Sequence, residues 1–401
     1  MRRHIILVVL LILCGSAEFA HAQTQEYPQP QVITPKRATE LNGGPALVSI
    51  HLKGASPQQF YEQLWKQVDL PSYSHFEFSK NGRPLVTMNY DKAPFWQVVR
   101  RFENESGYSL SYDLYPTKTE FGNVGITGQP SWSDVFLTTI DSITRQQKTE
   151  IFPSPGKSSV QRESQLKFHI NFFSDPKVII DRYNAKLFLE KVVTEKGESL
   201  INYDGFFMGT YNSGWYVFGD DTPLEAINLK GKTIATLKGK MQAPVVVGTQ
   251  VWKVENIGAS GNITFGTAPK ISGGNSWDFN YAGLYELKNI HEKDGAYQLD
   301  LHFQVPRRPG DGYRYGTGSY NFLLADLHFI DAHGNDIPFG ESSQNDQYPE
   351  PDIWDSTSHL TLAPSEGEKN DGPISMKWRI PTKLAIIEIP FEFHNLTIPS
   401  L

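Results

Sequence analysis

The sequence predicts an α+β N-terminal module, ordered β-α-β-β-α-β, followed by mainly-β tandem sandwich domains. Three observations predict it. Residues 46–115 pass twice through a strand and an amphipathic helix. Beyond residue 120, β-branched and aromatic residues alternate with polar ones between turn signals. Two runs in that later region match each other, which points to an internal duplication.

Taken in order, the chain begins with Met1-Arg2-Arg3-His4, an apolar run Ile5 to Cys14, and the ending Ala20-His21-Ala22. A basic start, a short apolar middle and small residues before a cut site are the parts of a secretory signal peptide over residues 1–22. The apolar run is half the ~20 residues that a spanning helix needs. Cleavage before Gln23 would remove Cys14, the only cysteine, and with it any disulfide or thiol chemistry. Leu13 before that cysteine argues against a lipid anchor. Removal of Arg2, Arg3 and Glu18 moves the net charge from −7 to −8, which argues against nucleic acid or anionic lipid as partner. No later run is long and apolar enough to span a membrane as a helix. Residues 23–44 carry early prolines and glutamines with no apolar period, so they read as a flexible linker.

The module occupies residues 45–118. Val48, Ile50 and Leu52 alternate with polar residues as a half-buried strand. Ser56 and Pro57 open a helix whose Phe60, Tyr61, Leu64, Trp65 and Val68 share one face. A strand is expected at His75 to Phe78, and another at Leu85 to Tyr90. Pro94 opens a second helix carrying Phe95, Trp96, Val98, Val99 and Phe102, which Gly107 ends before a closing strand from Ser109 to Leu114. The helix entries LKGASPQQF and YDKAPFWQV are variants of one design. On this two-pass pattern the region resembles the short N-terminal domain shared by secretins and TonB-dependent receptors. The resemblance covers about 70 residues of 401. It implies a periplasmic protein–protein contact module without catalytic residues. No secretin or barrel sequence follows.

The β-branched residues of Val135 to Ile143 make that segment a strand. QLKFHINF (165–172) matches QLDLHFQV (298–305), and VTEKGESL (193–200) matches IDAHGNDI (330–337), with Gly197 and Gly334 as turn glycines. Trp215 before Pro223 answers to Trp378 before Pro381. Each copy reads as antiparallel strands with one buried and one wet face. The copies divide into sandwich domains at 121–245 and 246–401, with one larger sandwich as the alternative. The closing segment 389–399 alternates Phe391 with Phe393, and its prolines at 390 and 399 point to an edge strand. With the duplication, it resembles a group of exported bacterial β-sandwich proteins, which implies a fold and a compartment but no activity.

Catalytic signatures are near misses. Gly156-Lys157-Ser158 ends like a phosphate loop, but Ile151 stands where the upstream glycine is needed. Gly316-Thr317-Gly318 has Asn321 at its third glycine position. No nucleophile elbow or His-Glu-x-x-His pair is present. His169 and His302, equivalent in the two copies, read as exposed strand histidines with no carboxylate fixed beside them. Asp331, His333, Asn335 and Asp336 read as a polar hairpin around Gly334. Residues 340–358, with Glu341, Asp346, Glu350, Asp352 and Asp355, read as a solvated acidic loop.

The candidate binding residues are Tyr313, Arg314, Tyr315 and Tyr320, in a glycine-rich run suited to adaptable contacts, together with Trp354, which reads as loop-borne. The functional expectation is therefore an exported, non-enzymatic envelope protein, periplasmic or extracellular, acting through contacts with an envelope protein partner as a scaffold or assembly part. No cofactor or metal is implied. A carbohydrate-binding module using the aromatic residues is the alternative. A hydrolase with carboxylates from residues 341–355 is the second alternative.

Overall fold

The computed structural model describes residues 31–68, 85–110, 116–118, 129–154, 157–181, 185–201, 205–208, 217–225, 229–259, 261–267, 283–293, 296–306, 326–334, 336–337, 339–350, 353–362 and 374–400. The expected leader (1–22), the strand expected at His75 to Phe78 and the tyrosine run 307–325 lie outside them.

The segment read as a flexible linker is structured from residue 31 on. Strand β1 (Val32–Ile33) pairs in parallel with the last strand of the protein. Helix α1 (Pro35–Leu41) follows, with the Thr34 hydroxyl accepting from Arg37 N at 3.3 Å and Pro35 in its first turn. Ile33, Ala38 and Thr39 are buried. Composition misled here, because a two-residue strand and a seven-residue helix bury too few side chains to set up a period.

In the N-terminal unit, β2 (Leu47–Ala55) leads to α2 (Pro57–Val68), β3 (Val86–Pro94) and α3 (Phe95–Ser106). Ser56 and Gln59 form a reciprocal capping box, Gln59 N donating to Ser56 Oγ at 3.3 Å and Ser56 N to Gln59 Oε1 at 2.9 Å. Gly107, at φ 69°, ends α3 in the left-handed region. Strands β2 and β3 pair antiparallel. The closing strand β4 (Tyr108–Leu110) pairs instead with β5 (Pro116–Lys118), so among the described residues β2 and β3 stand as a two-stranded sheet. Ser49 is bulged out of the β2–β3 ladder, and the Gln67 amide serves both its backbone groups, at 2.7 and 2.8 Å. Phe60 stacks on Phe102 with ring centroids 3.8 Å apart, at the centre of a core that Leu137 and Phe173 of the next sheet complete.

The remainder is mainly β, in several antiparallel sheets. Strands β6 (Gln129–Ser133), β7 (Phe136–Ser154), β8 (Lys157–Phe173), β9 (Lys186–Thr194), β10 (Gly205–Met208), β11 (Val217–Glu225) and β12 (Thr233–Val254) come first. The later series is β13 (Ile263–Gly266), β14 (Leu284–Lys293), β15 (Ala296–Pro306), β16 (Leu327–Ile330), β17 (Asp336–Ile337), β18 (Phe339–Glu350), β19 (Ile353–Leu362) and β20 (Ser375–Thr397). The matched runs lie on β8 and β15. Each is flanked on both sides, β8 by β7 and β11, β15 by β14 and β19.

The earlier and later strands meet in one seven-stranded sheet, because β12 and β20 pair from Thr233↔Thr397 to Val254↔Met376. One apolar cluster joins the four-stranded sheet (β11-β8-β7-β6) to one part of this ribbon, through Leu166, Phe168 and Ile170 against Met241, Val245, Ala385 and Phe391. Another joins the five-stranded sheet (β13-β14-β15-β19-β18) to the other part, through Tyr285, Leu301 and Phe303 against Val246, Trp378, Ile380 and Leu384. Val245 and Val246 are neighbours in sequence yet belong to different clusters, as do Leu384 and Ala385, so the two cores occupy opposite faces of the ribbon. β20 is flanked by β12 on one side and, over parts of its length, by β16 and β1 on the other. It is therefore an inner strand there, and Pro390 falls past the last β1 pair at Ile387, where only β12 pairs with it.

The ribbon admits no side chain at Gly239. A methyl group there would run into the Phe188 carbonyl on β9 and approach the Phe391 ring to 2.7 Å. Gly239→Ala is expected to lower the urea unfolding free energy by about 1–3 kcal/mol, the usual cost of overpacking; an unchanged midpoint would contradict this packing.

Candidate functional site

The outer face of the five-stranded sheet gathers a connected set of interacting polar side chains. Alternation dictates it: Leu299, Leu301, Phe303 and Val305 of β15 point into the core, so Gln298, Asp300, His302 and Gln304 point out. On β19, Trp354, Ser356, Ser358, Leu360 and Leu362 are buried, leaving Asp355, Thr357, His359 and Thr361 outward.

His302 lies between two carboxylates from the strands either side of it. Its Nδ1 is 2.7 Å from Glu286 Oε2 on β14, and its Nε2 is 2.9 Å from Asp355 Oδ1 on β19. A protonated ring donates to both. Gln304 Nε2 donates to the second Asp355 oxygen at 2.7 Å, and Lys288 Nζ reaches Glu286 Oε2 at 2.5 Å. Lys288 is the main reason the Glu286 carboxyl lies below the usual glutamate range; partial burial opposes it and His302 adds to it. The reading of His302 as a histidine without a fixed carboxylate is thus corrected. Its partners come from positions 16 and 53 residues away, which no local pattern exposes. On β7, burial pushes the Asp141 carboxyl up, while bonds from Thr139 and Asn171 and the charge of His169 on β8 pull it down.

Beside this bridge the sheet is indented. The β14–β15 register slips between Lys288 and His291, and Asn289 adopts φ 52°. Asparagine tolerates that conformation better than most residues, and here its Nδ2 is tied to Asp300 Oδ2 at 2.6 Å. The other Asp300 oxygen meets His359 Nδ1 at 2.5 Å across the β15–β19 ladder. His291 bridges the Asn289 carbonyl (2.7 Å) and Gln298 Oε1 (3.1 Å). The result is an open hollow of ≈ 680 Å³ lined by Asn289, Ile290, His291, Gln298, Leu299, Asp300, His359, Leu360 and Thr361.

Tyr313, Arg314, Tyr315 and Tyr320 fall outside the described residues. Trp354 is not loop-borne: it lies on β19, 7 % exposed, edge-on to Phe303 in the core. The acidic segment is likewise no loop where it is described: 340–350 and 353–358 belong to the antiparallel β18–β19 pair. Serines at the inward positions 356 and 358 hide the apolar alternation that would have revealed β19. Around Gly334 (φ 84°), Asp331 Oδ1 accepts from His333 N at 2.8 Å, and Asp336 reaches His328 at 3.2 Å. Among the described residues no three His, Cys, Asp or Glu side chains are grouped as a metal site requires, and no helix is long and apolar enough to cross a membrane. Comparison of the chain with protein-family models, curated proteins and solved structures gives no match.

Proposed function

We propose that this is an exported cell-envelope protein that acts through protein–protein contacts, as a scaffold or assembly part, and catalyses no reaction. Its N-terminal region is a contact module of the kind found in secretins and TonB-dependent receptors, and its duplicated remainder is a pair of β-sandwiches that carries the module. The signal-peptide pattern of residues 1–22 supports export. The observation that carries the contact role is how the module is mounted. The helix layer is keyed into the β body, with Trp96 Nε1 donating to the Ser174 carbonyl at 2.6 Å and Asp175 Oδ2 accepting from Ala46 N at 2.8 Å. The other face of β2–β3 is exposed. It presents His51, whose ring meets Asn89 and Asp91, with Leu47 at one end of the strand pair and Leu85, just before β3, at the other, 41 % and 61 % exposed. A rigidly held sheet face with a polar centre and an exposed leucine at each end suits docking of another protein.

The test uses the whole mature chain, since Leu137 and Phe173 belong to the module's core and a fragment would lack them. Cross-linking in envelope extract is expected to give a discrete adduct that vanishes in the Leu47→Asp/Leu85→Asp double variant and persists in Val251→Asp, a control at another exposed apolar position. No adduct, or one indifferent to the double substitution, would refute the reading.

A further inference from the structure

We propose that the hollow beside the β14 irregularity is a binding site for a neutral, polyhydroxylated ligand, that is, a glycan segment. This goes beyond the contact role and does not depend on it, since the hollow lies on the five-stranded sheet and the docking face on the N-terminal unit.

Charge decides the ligand class first. The carboxylates around the hollow repel an anion. They do not invite a cation either, because each is already engaged: Asp300 by His359 and Asn289, Glu286 by Lys288 and His302, Asp355 by His302 and Gln304. Displacing those bonds would cost a cation about what it gained. What the hollow still offers is hydrogen bonding in both senses. Gln298 uses its Oε1 on His291, and its Nε2 has no partner among the described residues; nor has the Thr361 hydroxyl. An amide N–H, a hydroxyl and the edge of a carboxylate, side by side, match adjacent sugar hydroxyls, each of which donates once and accepts twice.

Shape and rigidity agree with this. The volume, ≈ 680 Å³, lies within the range of about 300–1,000 Å³ usual for small-ligand sites. The groups that line it are held by one another and by three paired strands, so little ordering remains to be done on binding. The irregularity in β14 shapes the hollow: one extra residue lies between Lys288, level with Asp300, and His291, level with Gln298, and Asn289, at φ 52°, turns its amide onto Asp300.

Saturation-transfer NMR on the full mature chain tests the proposal, with neutral tetrasaccharides of glucose (β-1,4 and α-1,4), mannose and N-acetylglucosamine as probes. Transfer to at least one of them is expected. Gln298→Ala and Thr361→Val should each weaken that binding about 3- to 10-fold, the loss of one hydrogen bond, with the melting transition unchanged. Asn345→Ala, on the same sheet face two strands away from β15, should leave it as it was. Absence of transfer from every neutral probe, or binding equal in wild type and both hollow variants, overturns the assignment. Because the leucine variants of the N-terminal unit leave the hollow intact, they should bind the sugar normally, so the two readings fail separately.

Discussion

Trp96→Ala is expected to loosen the N-terminal unit from the β body at a cost of about 3–5 kcal/mol, the usual range for deleting a buried large aromatic. Trp96 is 1 % exposed and sits at the joint itself. Its ring meets Phe95 and Phe173 edge-on, with centroids 4.9 and 5.0 Å away, and its indole N–H is the donor to the Ser174 carbonyl. Truncation therefore opens a cavity and takes the indole donor away from a buried carbonyl together. Trp96→Phe separates the two effects: it keeps most of the ring contact and should cost only about 1–3 kcal/mol, the penalty for losing the indole hydrogen bond. Hydrogen exchange locates the damage. Protection should fall across β2, α2, β3 and α3 while the β12–β20 ribbon keeps its own, because that ribbon is paired over its whole length independently of the joint. Uniform loss of protection, or an unaltered urea midpoint in Trp96→Ala, would show that the joint is not where the unit is held.

The joint also shows which features were legible in sequence. Helices α2 and α3 announce themselves through local chemistry: Ser56 and Pro57 at one start, Gly107 at the other end, and apolar residues at helical spacing between. That Trp96 is buried follows from the same spacing; that it meets Ser174, 78 residues on, does not. The matched runs on β8 and β15 were readable because central strands alternate strictly, with Leu166, Phe168 and Ile170 in one and Leu299, Leu301 and Phe303 in the other. The shared ribbon was not, since a window of a few residues cannot reveal that β12 pairs with a strand more than 120 residues later. The hollow was hidden for the same reason. Asp300, His359 and Asn289 come from three strands, and only their side-chain bonds bring them together. One signal was present all the same: the outward row Gln298, Asp300, His302, Gln304 places two ionisable residues on the wet face of a central strand, and the run Asn289-Ile290-His291 before it breaks the alternation.

His328→Gln is expected to remove a pH dependence of stability that the native protein carries between about pH 6.5 and 9. His328 is 9 % exposed, with Nε2 3.0 Å from Asp326 Oδ1 and Nδ1 3.2 Å from Asp336 Oδ1. Arg379 also pairs with Asp326, and Lys377 is the cross-strand neighbour on β20. Burial works against the imidazolium, but the two aspartates outweigh it and the pKa is pushed up to about 9 from an ordinary 6.5. A folded-state value above the unfolded one means that protonation stabilises the fold. The contribution is complete below about pH 6.5 and is lost as pH rises through about 9. A shift of this size corresponds to about 3 kcal/mol at most, on the order of one tenfold step per unit. Burial also acts on Asp326, yet His328 and Arg379 hold its carboxyl below the usual range, so the cluster weakens at strongly acid pH as well. At pH 6 His328→Gln should cost about 3–5 kcal/mol, because Asp336 and part of Asp326 then lose their buried counter-charge. By pH 9.5 the difference from wild type should have narrowed by most of the 3 kcal/mol, because the native ring is then neutral too. Urea midpoints of the two proteins at half-unit steps read this directly, and the subtraction cancels whatever the other histidines contribute. Parallel curves across the interval would mean that His328 is neutral in the fold, and that Arg379 alone balances the aspartates.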